Sequence, residues 1–256
     1  MKDTILTRLQ AIETEHQVKI LYACESGSRA WGFPSSDSDY DVRFLYLHPL
    51  EWYLSLRQRR DVIEYPIQDD LDIHGWDLRK ALLLLRKSNP PLMEWLGSPI
   101  VYWEPYSTAA QMRELAKTYY SAKSSSYHYL HMARGNYRDY MKGEEVRLKK
   151  YFYILRPILA VKWIEAGLGP VPTQFEVLVD ELVSDPGLKD AIHSLLTAKR
   201  AGQELDRGPR IDPISDFIDQ EMGRLEGQSF DYDKPADPIE QLDALFRSAL
   251  AEVWGL

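Results

Sequence analysis

A pair of acidic residues at the start of an apolar strand constrains this 256-residue chain more than any other feature. Asp39 and Asp41 are separated by one residue and lead into residues 42–47, whose β-branched, aromatic and aliphatic side chains favour a strand. Side chains alternate faces along a strand, so both carboxylates and Arg43 are expected on one face. Two neighbouring carboxylates repel each other unless a cation lies between them, and such a pair suits Mg²⁺ with substrate phosphates as further ligands.

A glycine-serine turn precedes the acidic pair. Residues 18–23 predict a strand, which runs into a polar turn that contains Gly27, Ser28 and Arg29. Gly27 permits backbone angles that a side chain disfavours, and Ser28 is expected to cap a short helix that begins at Arg29. The N–H groups of such a turn can bind a phosphate, so these three residues are candidates for nucleotide binding.

The spacing of the two motifs resembles the signature of the DNA polymerase beta nucleotidyltransferase superfamily, with ten residues between Ser28 and Asp39. Longer segments resemble, more particularly, the RNA repair pathway DNA polymerase beta family, and these segments are residues 26–32, 38–44, 71–78 and 150–157. The resemblance implies transfer of a nucleoside monophosphate from a nucleoside triphosphate to an acceptor hydroxyl, and it implies two Mg²⁺ ions, which Mn²⁺ can replace.

The superfamily resemblance also implies a third acidic ligand on a strand beside the Asp-x-Asp strand. Asp72 lies between two aliphatic residues, an unusual place for a carboxylate in a strand, and it is the favoured candidate. Asp77 competes with it, but Asp77 precedes the helical pattern of residues 78–86, where an aspartate is explained as an N-cap. The predicted catalytic and metal-binding residues are therefore Asp39, Asp41 and Asp72.

The second half of the chain has a helical pattern. From Tyr106 onward, apolar residues recur at three- and four-residue spacing. The predicted helices are 107–117, 119–141, 144–167, 174–183, 187–200, 213–226 and 238–253. The expected fold class is thus α+β, with a small mixed-sheet nucleotidyltransferase domain over residues 1–103 and an all-helical substrate- or nucleotide-binding domain over residues 104–256.

Basic residues are concentrated in the predicted helix 144–167. Lys149, Tyr153 and Arg156 fall at positions i, i+4 and i+7, and therefore on one helical face. On this interpretation Lys149 and Arg156 hold the phosphates of the nucleotide, and Tyr153 stacks on its base. The alternative set is Lys150 with Tyr151 or Ile154.

Composition limits the setting in which the protein works. The net charge of −8 argues against a protein that coats nucleic acid through bulk electrostatics. Cys24 is the only cysteine, so no intrachain disulfide can form and a reducing cytoplasm is expected. No apolar run approaches the length of a membrane span, and the N-terminal residues lack the apolar core of a secretory signal. The sequence therefore predicts a cytoplasmic protein without a membrane partner.

Three classes of function are compatible with these motifs. The first is transfer of a nucleotide to an RNA or DNA end. The second is transfer to a protein hydroxyl, for which the acidic C-terminal half could be a docking surface. The third is a non-catalytic nucleotide-binding scaffold, which three carboxylates disfavour. Metal-dependent glycosyltransferases also use Asp-x-Asp, but they place a longer nucleotide-binding unit upstream than the 38 residues that precede Asp39.

Overall fold

The computed structural model of the protein describes residues 1–35, 38–68, 70–141, 143–203 and 205–255. The strands are β1 (Lys19–Glu25), β2 (Tyr40–Leu47), β3 (Val62–Glu64), β4 (Leu71–Asp77), β5 (Val101–Trp103), β6 (Glu145–Arg147) and β7 (Arg207–Pro209). The helices are α1 (Lys2–His16), α2 (Gly27–Ala30), α3 (Leu50–Tyr53), α4 (Leu78–Arg86), α5 (Pro90–Leu96), α6 (Thr108–Tyr119), α7 (Ala122–Tyr140), α8 (Tyr151–Glu165), α9 (Phe175–Leu182), α10 (Pro186–Arg200), α11 (Asp212–Arg224) and α12 (Ile239–Trp254).

The chain folds as two compact units. The first unit comprises Met1–Ala30, Asp39–Tyr120 and the chain from Pro235 to its C-terminus, and the second comprises the rest. This division differs from the predicted boundary after residue 103. The physical reason is apolar packing, because Met112 of α6 and Leu245 of α12 are buried in the same core as Leu21 of β1.

A five-stranded mixed sheet forms the centre of the first unit, in the order β3-β4-β2-β1-β5. β2 and β4 pair in parallel, whereas the other neighbours are antiparallel. Alternation along β2 gives the sheet two different faces. Val42 and Phe44 pack in one core with Ile5 of α1, and Leu45 packs in another with Leu82 of α4. The predicted α+β class with a mixed sheet is confirmed.

The second unit is helical apart from one pair of short strands. β6 and β7 pair antiparallel, with Val146 opposite Gly208. The predicted helical C-terminal region is confirmed, but the predicted helix 144–167 begins only at Tyr151, because residues 145–147 form β6 and Leu148–Lys150 form a 3₁₀ turn. A three-residue strand whose partner lies about sixty residues away leaves no local periodicity from which it could be recognised.

Helix α8 lies in the core of the second unit, which explains its nearly continuous apolar sequence. Phe152 of this helix stacks on Phe33 with ring centroids 4.8 Å apart, and Phe175 meets both rings edge-on. In the part of the chain that the structure describes, no helix combines the length and the apolar character needed to cross a membrane.

Candidate active site

The parallel pairing of β2 and β4 brings Asp41 and Asp72 side by side. The register aligns Asp41 with Asp72 and Arg43 with His74. Because paired residues on neighbouring strands point to the same face, the two carboxylates emerge together on the face that also carries Arg43. Sequence reasoning placed Asp72 on a strand beside the Asp-x-Asp strand, and the structure brings these two of the three predicted carboxylates together.

The guanidinium group of Arg43 lies between the two carboxylates. Its Nη2 donates to Asp41 Oδ1 at 3.0 Å and to Asp72 Oδ2 at 2.7 Å, and its Nη1 donates to the Asp72 carbonyl at 2.9 Å. Charge-assisted hydrogen bonds of this kind are short and strong, and they offset the repulsion between the two acids. The space between Asp41 and Asp72 is thus a position that holds a positive charge.

The electrostatics at Asp41 reflect this crowding. Burial raises the pKa of the Asp41 carboxyl, and the neighbouring Asp72 and Asp39 carboxylates raise it further, while Arg43 opposes both effects. An additional cation would stabilise the ionised form of a carboxyl group whose pKa is raised in this way. The pKa direction at Asp41 therefore agrees with a site that receives a positively charged ligand.

Gly27 packs directly against the Asp41 carboxylate. It has a φ of 56°, and a Cβ at this position would lie 2.0 Å from Asp41 Oδ2, far inside contact distance. The Ser26 N–H donates to the Asp41 carbonyl at 2.8 Å, which fixes the turn to the start of β2. A residue without a side chain is therefore required both by the backbone conformation and by the space that Asp41 occupies.

The helix of this turn starts earlier than predicted. Helix α2 covers Gly27–Ala30, so Ser28 lies within its single turn and does not cap a helix that begins at Arg29. The Arg29 guanidinium lies 3.7 Å from the centroid of the Tyr40 ring, and its Nε donates to the Asp39 carbonyl at 3.2 Å. Arg29 thus tethers the residue at which β2 begins.

Asp39 itself is exposed, directly before β2. It is near enough to raise the pKa of Asp41. Among the residues that the structure describes, no group of three or more His, Cys, Asp or Glu side chains is arranged to hold a metal ion. The structure places Asp41 beside Asp72. A metal site shared by all three predicted carboxylates stays a prediction.

Glu25 is a site residue that the sequence analysis missed. It ends β1, is fully buried, and its Oε1 accepts the Asp41 N–H at 2.7 Å, while its Oε2 accepts the Tyr102 hydroxyl. Burial raises the pKa of the Glu25 carboxyl, against the effect of both donors. A glutamate that directly follows an apolar strand and precedes a glycine turn was the available signal. Its partners on β2 and β5 could not be read from that signal, because Tyr102 lies far along the chain.

Asp77 has the structural role that its position before α4 predicts. Its Oδ1 accepts the Arg79 N–H at 2.8 Å, and its Oδ2 accepts the Tyr53 hydroxyl at 2.6 Å. It is buried, and burial raises the pKa of its carboxyl to about 6. Asp77 ends β4, an odd number of residues from Asp72, so the two side chains point to opposite faces of the sheet.

The predicted nucleotide-binding residues of the second unit do not share one helical face. Lys149 is exposed in the 3₁₀ turn before α8, and its backbone N–H donates to the Leu205 carbonyl at 3.2 Å. Arg156 is buried, with its guanidinium 4.6 Å from the centroid of the Trp31 ring. Tyr153 is half-buried and meets the same ring edge-on at 5.8 Å. Nucleotide binding by these three residues stays a prediction.

The alternative set is also largely buried. Tyr151 and Ile154 lie in the core of the second unit, and Tyr151 exchanges a hydrogen bond of 2.6 Å with Ser215. The Lys150 ammonium lies 4.5 Å from the centroids of the Tyr140 and Tyr153 rings.

Two adjacent carboxylates on a mixed sheet, with a glycine-serine turn packed against one of them, are the arrangement that the resemblance to polymerase beta nucleotidyltransferases implies. The profile of the RNA repair pathway DNA polymerase beta family matches residues 1–248, and the chain belongs to this family. Membership supports nucleotidyl transfer as the general chemistry, in agreement with the resemblance found in the sequence.

Individual proteins are similar to this chain as well. The uncharacterized protein YcgL of Bacillus subtilis (strain 168) is 52% identical over 255 residues, which cover 99% of this chain and 98% of that protein. A crystal structure of a nucleotidyltransferase-like protein from Exiguobacterium sibiricum 255-15 is 11% identical, with a TM-score of 0.31, over 96% of this chain and 87% of that one.

Proposed function

We propose that this protein transfers a nucleoside monophosphate from a nucleoside triphosphate to the hydroxyl at an RNA end, with Mg²⁺ or Mn²⁺ as cofactor. The observation that carries the proposal is the pair of carboxylates, Asp41 and Asp72, aligned on neighbouring parallel strands beside Gly27. Family membership supplies the general chemistry. The RNA acceptor and the divalent metal are part of this proposal and do not follow from family membership.

The donor set fits a divalent cation. Mg²⁺ in nucleotide sites uses one or two carboxylates together with substrate phosphates, and Asp41 and Asp72 are such a pair. Arg43 already places a positive charge between them, at 3.0 and 2.7 Å. Bound metal would supply charge stabilisation for the departing pyrophosphate and a lowered pKa for the acceptor hydroxyl. Asp39, exposed at the start of β2, is the predicted third carboxylate of the metal site together with Asp41 and Asp72.

The side chains around the pair position the reactants. Glu25 fixes the backbone of Asp41, and the turn at Gly27 and Ser28 offers N–H groups to the triphosphate, with Arg29 beside it. The acceptor oxygen forms a bond to the α-phosphorus as the bond from that phosphorus to the bridging oxygen breaks, and pyrophosphate leaves. The hydroxyl proton passes to solvent, and no covalent bond to the protein forms.

The experiment is incubation of the protein with each α-labelled nucleoside triphosphate, with Mg²⁺ or Mn²⁺, and with separate pools of RNA, DNA and protein. Label in the RNA pool, released pyrophosphate and loss of both with Asp41→Asn are the expected results. Asp243→Asn is the matched control, because it makes the same chemical change at an exposed position of α12. Label in the protein pool would contradict an RNA acceptor and indicate transfer of the nucleotide to a protein hydroxyl. Absence of transfer to any pool would contradict the proposal and favour a nucleotide-binding scaffold.

A further inference from the structure

A polar cavity lies at the other end of β4 from Asp72. Its volume is about 360 Å³, and it is formed by Trp52 and Tyr53 of α3, the following loop 55–61, and the first turn of α4. Asp77, the last residue of β4, lies in its wall. Asp72 and Asp77 are five residues apart on an extended strand, which corresponds to about 16 Å. The cavity is therefore separate from the carboxylate pair.

Three of the residues that line this cavity are arginines. The segment from Trp52 to Arg60 contains three arginines and no acidic residue. Arg57 and Arg59 of this loop line the cavity, and Arg79 joins them from α4. We refer to Arg57, Arg59 and Arg79 as the arginine cluster. Its members come from two different elements and surround one concave space, in a protein whose net charge is −8.

The two acids that line the cavity, Asp61 and Asp77, have other hydrogen-bond and ion-pair partners. Asp61 pairs with Lys80 at 3.0 Å, and Arg60 pairs with Glu64. The carboxylate of Asp77 is occupied by a backbone N–H and by the Tyr53 hydroxyl. Within the described ranges, no ion pair includes a member of the arginine cluster. The lining therefore carries the guanidinium groups of the arginine cluster and the Lys80 ammonium against two carboxylates, those of Asp61 and Asp77, which leaves an excess of positive charge.

Phosphate is the ligand chemistry that fits such a cluster. A guanidinium presents a planar fork of donors that matches phosphate oxygens, and several forks around one cavity suit a chain of phosphates. Arg59 lies 5.7 Å from the centroid of the half-buried Trp52 ring, whose stacking partner is His48 at 4.0 Å. Aromatic rings beside cations are the usual combination in sites for single-stranded nucleic acids.

We infer that the arginine cluster binds the phosphate backbone of a single-stranded RNA. The inference deepens the proposed function and rests on it for the choice of RNA, since an acceptor strand needs contacts beyond the reacting hydroxyl. An anionic membrane surface would instead engage Leu54 and Leu56, which are 72% and 105% exposed. The arginine cluster favours single-stranded RNA, because its three cations line a concave cavity beside the Trp52 ring.

The test is binding of a fluorescently labelled single-stranded RNA of about 15 nucleotides, without nucleotide or divalent metal, as a function of salt concentration. Arg57→Gln, Arg59→Gln and Arg79→Gln each remove one phosphate contact. Each is expected to weaken binding about fivefold at about 0.1 M salt and to reduce the salt slope by about 0.7. Thermal melting establishes that each variant is folded.

Arg60→Gln is the matched control, because it removes the same charge from the same loop at a residue that is already paired with Glu64. Its binding should stay within about twofold of the wild type. Equal losses in Arg60→Gln and in the cluster variants would overturn the inference, as would wild-type binding in all of them. Arginine-dependent binding to vesicles with anionic lipid, without RNA binding, would overturn the inference and identify an anionic membrane surface as the ligand of the cluster.

The two proposals can fail separately. Asp41→Asn should lose nucleotidyl transfer and keep RNA binding, because Asp41 lies at the carboxylate pair and not at the cluster. Transfer activity without arginine-dependent RNA binding would overturn this inference alone. RNA binding through the cluster, with no transfer to any acceptor, would overturn the proposed function alone.

Discussion

Asp72 and Asp77 occupy the two ends of β4, and their surroundings differ. Asp72 is partly exposed, and its carboxylate contacts a side-chain cation, Arg43, that it shares with Asp41. Asp77 is buried, and its carboxylate accepts a backbone N–H of α4 and the Tyr53 hydroxyl. On one strand, the Asp72 carboxylate therefore contacts another side chain, whereas the Asp77 carboxylate stabilises the fold through its bond to the backbone of α4.

The difference shows how a structural acid can be separated from a functional one. Hydrogen bonds from a helix terminus are fixed by the backbone, so the acceptor capacity of Asp77 is not free for a ligand. The contact between Arg43 and Asp72 joins two side chains that can each change rotamer. The exposure of the carboxylate to solvent and the mobility of its hydrogen-bond partner thus distinguish Asp72 from Asp77 better than the sequence around each residue does.

The largest effect is expected from a direct comparison of Asp72→Asn with Asp77→Asn. Loss of the Asp72 charge should reduce the rate of nucleotidyl transfer by about 10²–10³-fold, as for other groups that stabilise transition-state charge. Asp77→Asn keeps an acceptor for the helix and should leave the rate within about threefold, since it lies far from the pair. The measurement is pyrophosphate release. Equal losses in both variants would remove the distinction between the two ends.

The second prediction concerns pH and stability. Burial raises the pKa of Asp77 from 3.8 to about 6, so the folded protein keeps this proton at pH values where the unfolded chain has released it. Stability relative to Asp77→Asn should therefore fall by about 3 kcal/mol as the pH rises from about 4 to about 6, and then stay level. Urea unfolding of both proteins across this range measures it. Parallel pH profiles would show that Asp77 ionises normally.

The third prediction sharpens the account of the carboxylate pair. Gly27→Ala should cost about 1–2 kcal/mol of stability through its left-handed backbone, and it should also displace the Asp41 carboxylate and reduce transfer. Gly167→Ala is the matched control, since Gly167 has a φ of 70° and an added Cβ would meet nothing within 4 Å. It should lose similar stability with unchanged transfer. Equal activity in both variants would contradict a role for the close approach at Gly27.

The smallest effect is expected from Tyr102→Phe. This change removes the hydroxyl that donates to Glu25, and Glu25 in turn accepts the Asp41 N–H. We expect a loss of about 1 kcal/mol in the free energy of unfolding, as for a single hydrogen bond, and a change of a few-fold in kcat with KM unchanged. Denaturant titration and steady-state kinetics measure the two quantities. A large rise in KM would indicate that Tyr102 contacts the substrate.

Local sequence patterns were sufficient to predict the central strands and the helix N-cap at Asp77. Period-two alternation placed Asp41 and Arg43 on one face, and an aspartate before an apolar helical run indicated the N-cap at Asp77. Asp72 followed from the superfamily resemblance, and the structure aligns it with Asp41. These features depend on a few neighbouring residues, or on motifs whose spacing the resemblance interprets.

Contacts between distant parts of the chain were not predictable in the same way. Tyr102 donates a hydrogen bond to Glu25 across an antiparallel pair of strands, and β6 pairs with β7 although a long helical region separates them in the chain. Helix α12 returns to the first unit after the chain has built the second, so a boundary after residue 103 could not capture it. Lys149 precedes α8 because β6 interrupts the helical pattern, and spacing alone does not show such an interruption.

β4 has little freedom to change in length. Asp72 near its start must lie beside Asp41, and Asp77 at its end must meet the first turn of α4. Insertion or deletion of one residue between them would turn one of these side chains to the wrong face of the sheet. We therefore expect β4 to keep its length among relatives, so that the distance between the Asp77 cap and the Asp72 carboxylate stays the same.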